Sequence, residues 1–148
     1  MNQPSSVAAL KVGVVLPAAI GEPGDYLANA RALEAAGAEL IQVEGDVEAQ
    51  LLILGAIAAV TERIKLRTQA RADLLARLSR GRAVDELPAG EKWEVISMPS
   101  DRASWAATMR EHEAAGTAGV IVPWNERLID LLRNSEPEDR SDLLMSTG

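Results

Sequence analysis

The amino-acid sequence predicts an α/β protein built on a parallel sheet. The stretch Glu34-Ala-Ala-Gly-Ala-Glu-Leu-Ile-Gln-Val43 returns without a gap as Glu113-Ala-Ala-Gly-Thr-Ala-Gly-Val-Ile-Val122. In both copies an Ala-rich polar segment ends at a glycine and runs into a short apolar stretch. Gly37 and Gly116 suit the left-handed position just past a helix end, where a Cβ would clash. The apolar stretch suits a strand buried on both faces. A helix returning to a buried strand is half of a βαβ unit, and two such units imply parallel strands.

The elements follow in order. Lys11 to Pro17 reads as a first strand, β-branched and closed by Pro17, and Ala18 to Gly24 as a loop. Asp25 to Ala36 has Leu27, Ala30, Leu33 and Ala36 near helical spacing. Leu40 to Val43 is the second strand, after which Gly45 or Asp46 can cap a helix from Val47 to about Glu62. That helix is apolar nearly all round, as expected of one that is buried or lies against another subunit, with Leu54 a natural interface residue. Arg63 to Thr68 alternates charged and apolar residues, so it reads as a strand at an edge or with its polar side toward a cavity. Arg71 to Arg80 reads as a helix with Leu74, Leu75 and Leu78 inward, stopped by Gly81. Arg82 to Lys92 is a polar connection. Trp93 to Pro99 is a fourth strand, Ser100 or Asp101 caps a helix to Ala115, and Val120 to Val122 is a fifth strand. Asn125 then caps a helix from Glu126 to Arg133, and a charged tail fills 134–148.

Composition bounds the reading. At 148 residues, with 47% hydrophobic and 25% charged residues, the chain fits one globular domain. Three Trp, one Tyr and no Phe leave the core to aliphatic residues. A net charge of −7 argues against nonspecific nucleic-acid binding. Without cysteine there is no disulfide, thiolate metal site or cysteine nucleophile. The lone histidine, His112, lies between Glu111 and Glu113 on a solvated helix face, so no multi-histidine metal site is expected. No apolar run is long enough to span a membrane and the N-terminal residues lack a signal-peptide pattern; the expected address is the cytoplasm.

The segment Ala56-Ile-Ala-Ala-Val-Thr-Glu-Arg-Ile-Lys-Leu-Arg-Thr68, followed by Leu78-Ser-Arg-Gly-Arg82, resembles the bacterial luciferase-like flavin-dependent oxidoreductases. Their usual pattern is an Ala-rich helix, a strand reading "RIxLGT" and a helix ending "LSxGR". Leu16-Pro17, the two Glu-Ala-Ala-Gly steps and the Val-Ile-Val strand are similar too. The resemblance covers two blocks, residues 10–82 and 93–124. It implies a shortened TIM-barrel-like unit with about five strands, since a complete barrel takes roughly 250 residues. The missing middle falls between Arg82 and Trp93. Such a unit leaves an open sheet or is completed by a second copy in a homodimer. Arg67 stands where the family has glycine.

The resemblance further implies FMN or a deazaflavin coenzyme at the carboxyl ends of the strands, in hydride-transfer or monooxygenase chemistry. The alternative is a noncatalytic binding or assembly protein of the same fold. Thr68, Gln69 and Arg71 can hold a flavin edge or a phosphate, since an arginine fork matches phosphate oxygens; an ordinary loop with a solvated arginine explains them equally. Glu44 and Asp46 can act as a base or bind a cation, although one of them capping the next helix needs no chemistry. Trp124 can stack on a cofactor or simply be buried. Arg71, Arg77, Arg80 and Arg82 form a basic run able to meet a phosphate or an acidic partner, or to line a solvated helix face.

Overall fold

The computed structural model describes residues 9–70 and 72–133. They form one sheet of six parallel strands: β1 (Lys11–Leu16), β2 (Leu40–Val43), β3 (Lys65–Arg67), β4 (Ala83–Val84), β5 (Trp93–Val95) and β6 (Gly119–Pro123). The helices are α1 (Pro23–Ala36), α2 (Val47–Val60), α3 (Asp73–Leu78), α4 (Arg102–Ala114) and α5 (Leu128–Arg133). Five strands were expected; the sixth, β4, is two residues long and lies inside the presumed polar connection, too short to leave a periodic signal. No helix among the described residues is long and apolar enough to cross a membrane.

The strand order is β4-β3-β2-β1-β6-β5. Each step from β1 to β4 moves to the next neighbour on one side, and the step from β5 to β6 moves in the same direction. Right-handed crossovers that all advance one way place their helices on one face. The helix contacts agree, with α1 touching both α2 and α5, and α2 touching α3. Val12, Val14, Leu16, Ile41, Val43, Leu66, Val120 and Val122 face this helical layer. There they join Leu33 of α1, Leu54 and Ile57 of α2, Leu75 of α3, Trp105 of α4 and Leu128 of α5 in the core.

Alternation sends Lys11, Gly13, Val15, Leu40, Gln42, Lys65, Arg67, Val95 and Ile121 to the other face. A Cβ on Gly13 would meet Leu40 at 2.9 Å and Ile121 at 3.4 Å, which confirms that these three share a side. No helix covers it. It is crossed by residues 85–92, which must pass from β4 at one edge to β5 at the other. An ion pair between Lys11 Nζ and Glu91 Oε2, 3.0 Å, fixes that crossing to this face. Glu91 also accepts from Trp93 Nε1 at 3.1 Å. The Trp93 hydrogen bond, then the one from Lys11, hold its carboxyl below the usual range.

Both repeat copies fold as expected. Gly37 and Gly116 are left-handed, at φ +104° and +82°, each directly between helix and strand. The repeat is also tertiary. Glu34, one turn before Gly37, accepts from the backbone N–H groups of Glu62, Arg63 and Ile64, at the start of β3. Glu113, one turn before Gly116, faces the N–H of Leu10 at 3.5 Å, at the start of β1. In space β3 follows β2 and β1 follows β6, so each glutamate reaches the start of the strand next to its own.

Arg82 is a further fastening. Its guanidinium donates to Ser79 O, Thr61 Oγ1, Ile64 O, Ala58 O and Thr61 O, at 2.9–3.1 Å. All five donors of the fork are thus used. Three of these acceptors, Ala58 O, Thr61 O and Thr61 Oγ1, lie at the end of α2, where free carbonyls and the helix dipole favour a cation. Arg80 (φ 57°) and Gly81 (φ 85°) turn the chain back so that Arg82 can reach. Arg82 therefore does not belong to a solvated basic face.

Two packing expectations fail. Leu54 is fully buried in the core, so it is not an interface residue; the exposed large hydrophobic residues of α2 are Val47 and Leu52, the latter at 69%. Of the leucines assigned inward on α3, only Leu75 is buried, while Leu74 and Leu78 are exposed, because a six-residue helix presents a single turn to the core.

Candidate functional site

The carboxyl ends of β2 and β3 frame a cleft of about 120 Å³, lined by Gln42, Val43, Gln50, Arg67, Thr68 and Gln69. The alternation in β3 creates it. Leu66 goes into the core and Arg67 to the opposite side, next to Gln42 on the neighbouring strand. Arg67 Nη1 donates to Gln42 Oε1 at 2.6 Å. Of the two readings offered for this strand, the edge fails, since β3 lies between β2 and β4, and the cavity stands.

Arg67 Nε is buried and has no hydrogen-bond partner. No carboxylate among the described residues forms an ion pair with this arginine. The other cleft groups are neutral. Gln50 Nε2 is occupied by Gly45 O at 2.8 Å, and Gln50 Oε1 lies 3.4 Å from the Thr68 hydroxyl. Thr68 is buried, and its Oγ1 accepts from Ala70 N–H at 3.2 Å, which shapes the loop after β3. A neighbouring cleft shares Thr68 and is lined by Ala72, Asp73, Ala76, Ala83, Val84 and Asp85; its charged groups are acidic.

Of the six residues expected to bind a cofactor, the structure brings Thr68 and Gln69 to the cleft. Arg71 lies outside the described residues. Asp46 is the N-cap of α2, its Oδ1 accepting from Ala49 N–H at 2.8 Å, so the capping explanation accounts for it. Glu44 is exposed on the same turn and does not line the cleft. Burial, then the charge of Glu44, raise the Tyr26 hydroxyl to about 12, and that hydroxyl donates to Pro17 O at 2.6 Å. Trp124 packs against the core from the β6 end, its backbone N–H donating to Val15 O at 2.9 Å, and it does not line the cleft.

The cleft residues that sequence reasoning missed are Gln42, Gln50 and Arg67. A signal for two of them existed. Gln42 is the one polar residue in an otherwise apolar strand, and Arg67 interrupts a strand at the position nearest its carboxyl end. No protein-family model matches this chain, and no curated protein does.

Proposed function

We propose that the protein binds a small phosphorylated ligand at the carboxyl ends of β2 and β3. FMN or a deazaflavin coenzyme is the candidate that the luciferase-like resemblance names, and oxidoreductase chemistry is the corresponding activity. The observation that carries this reading is the carboxyl-end cleft itself, where an arginine with no acidic partner among the described residues lies beside Thr68 and Gln69. Ligands of parallel α/β folds gather at that end of the sheet. The one-way winding supports the barrel-like part of the proposal, since six strands in this order would form an arc of a (β/α)₈ barrel with the gap between β4 and β5. The cleft can take a phosphate and leaves a fused ring system to lie outside it. In such a complex the cofactor supplies the redox chemistry and the protein supplies binding and orientation.

Visible absorbance of the freshly purified protein, followed by titration with FMN and with oxidised and reduced deazaflavin, tests the reading. Saturable binding in the micromolar range, about −8 kcal/mol, is the expected result. A colourless protein that binds none of them removes the cofactor.

A second reading, a noncatalytic assembly protein acting as a homodimer, is favoured by the apolar residues left outside the core. Leu52, Leu74 and Leu78 on α2 and α3 are exposed, as is Val95 at the β5 edge. Sedimentation of wild type and Leu52→Lys decides it: a dimer that the substitution dissociates supports it, and a wild-type monomer ends it.

A further inference from the structure

We infer that Arg67, with Gln42, forms an oxyanion-binding site for a phosphate-type group. The inference rests on the carboxyl-end location proposed above but not on the identity of any flavin. In this chain acids outnumber bases by 22 to 15, yet the cleft around Arg67 is lined by no acid. A guanidinium presents five donors, and among the described residues this one makes a single side-chain hydrogen bond, to Gln42 Oε1. Its Nε–H is shut away from solvent without an acceptor. A buried donor left unsatisfied costs about 1–3 kcal/mol, and natural proteins retain few of them.

The neighbouring Gln42 reinforces the point. Its amide oxygen is taken by Arg67, so the group it has left to offer is the NH₂, a donor. Gln50 does not supply the missing acceptor here: its oxygen lies at the Thr68 hydroxyl and its NH₂ at Gly45 O. The cleft thus sets one cationic guanidinium among neutral side chains, and a compact anion against its Nη groups is what would complete it. Its volume of about 120 Å³ is well above the roughly 10–15 Å³ that one water requires. An arginine fork pairs with two oxygens of a phosphate or carboxylate at once, which a lysine cannot do. Two ligand sources share this chemistry: free inorganic phosphate and the terminal phosphate of a larger ligand.

The test titrates inorganic phosphate into the full chain by calorimetry, with the arginine Nε–H resonances followed by ¹H–¹⁵N NMR. The Arg67 signal is assigned by its absence in Arg67→Gln. Saturable binding at millimolar phosphate or tighter is expected, with a shift of the Arg67 Nε–H. Arg67→Gln should weaken binding at least tenfold. Arg67→Lys, which keeps the charge without the fork, should fall between the two. Thermal melts of both variants verify that the fold persists, and the wild-type phosphate titration by calorimetry needs no variant. Absence of saturable binding, an unmoved Arg67 signal, or equal affinity in Arg67→Gln would overturn the site.

Competition separates the sources and the two proposals. FMN displacing phosphate while riboflavin, which lacks the phosphate, does not, supports the site as the anchor of a phosphorylated ligand. Phosphate bound in a protein that ignores FMN keeps the site for the free ion and removes the flavin. FMN bound as tightly by Arg67→Gln as by wild type keeps the flavin and removes this site.

Discussion

Residues 34–43 and 113–122 run the same course: a helix ends at a left-handed glycine and a strand buried in the sheet follows. What they hold differs. The Glu34 carboxylate gathers three consecutive backbone N–H groups at the start of β3, while Glu113 meets a single N–H of Leu10 at 3.5 Å, the outer limit of a hydrogen bond. The helices that follow also differ, α2 spanning 14 residues and α5 six. Local sequence produces the helix, the glycine and the strand in both places. The tertiary role depends on what the next strand's start presents: a tight turn after α2 beside Glu34, and one backbone amide beside Glu113. The same motif is thus a fastening in the first half of the molecule and close to a spectator in the second.

The largest expected effect tests whether the first half carries the core. Leu54→Ala should cost about 3 kcal/mol, as for other fully buried leucines, whereas Leu52→Ala, on the exposed side of the same helix, should stay within about 0.5 kcal/mol. Urea unfolding measures both. Equal losses would mean that α2 is covered on its outer side as well.

Next in size is Arg82. Arg82→Ala removes the guanidinium that joins the end of α2 to Ile64 and to Ser79 at the end of α3, at a cost of about 2–3 kcal/mol. Arg82→Lys should recover little of it, because one ammonium cannot replace the fork. A full recovery by lysine would reduce the role to charge near the helix end.

The comparison itself is sharpened by Glu34→Ala against Glu113→Ala. The first should cost about 1–2 kcal/mol for its charge-assisted bonds, and the second should fall within about 0.5 kcal/mol. Equal costs would break the distinction between the two copies.

These fastenings mark what was legible in the sequence. The parallel sheet, the glycine stops and the Asp46 cap announce themselves through local rules, which need only neighbours along the chain. Arg82 looked like one member of a basic run, and nothing in its spacing says that five acceptors from residues 58–79 converge on it. The candidate site was half legible for the same reason. Thr68 and Gln69 follow from the rule that ligands gather at strand ends, but Arg67 and Gln42 come together only through the register of β2 and β3. β4 was missed because two residues carry no period, and its pairing is supplied by β3.

The smallest effect isolates the electrostatic part of the Glu34 fastening. Burial alone would raise the Glu34 pKa, but the N–H groups of Arg63, Ile64 and Glu62, with the charge of Arg63, outweigh it and hold the carboxyl below its usual value. A carboxyl whose pKa is lower folded than unfolded binds fewer protons in the native state, so its contribution is complete above the unfolded pKa, about 4.3, and is lost as pH falls through the folded one. Glu34→Gln keeps an oxygen for the N–H groups but cannot titrate. The stability gap between wild type and Glu34→Gln should therefore be constant from neutral pH down to about pH 5 and narrow below it, as read from urea unfolding at each pH. A gap that stays constant to the acid limit of folding would assign the fastening to hydrogen-bond geometry rather than to charge.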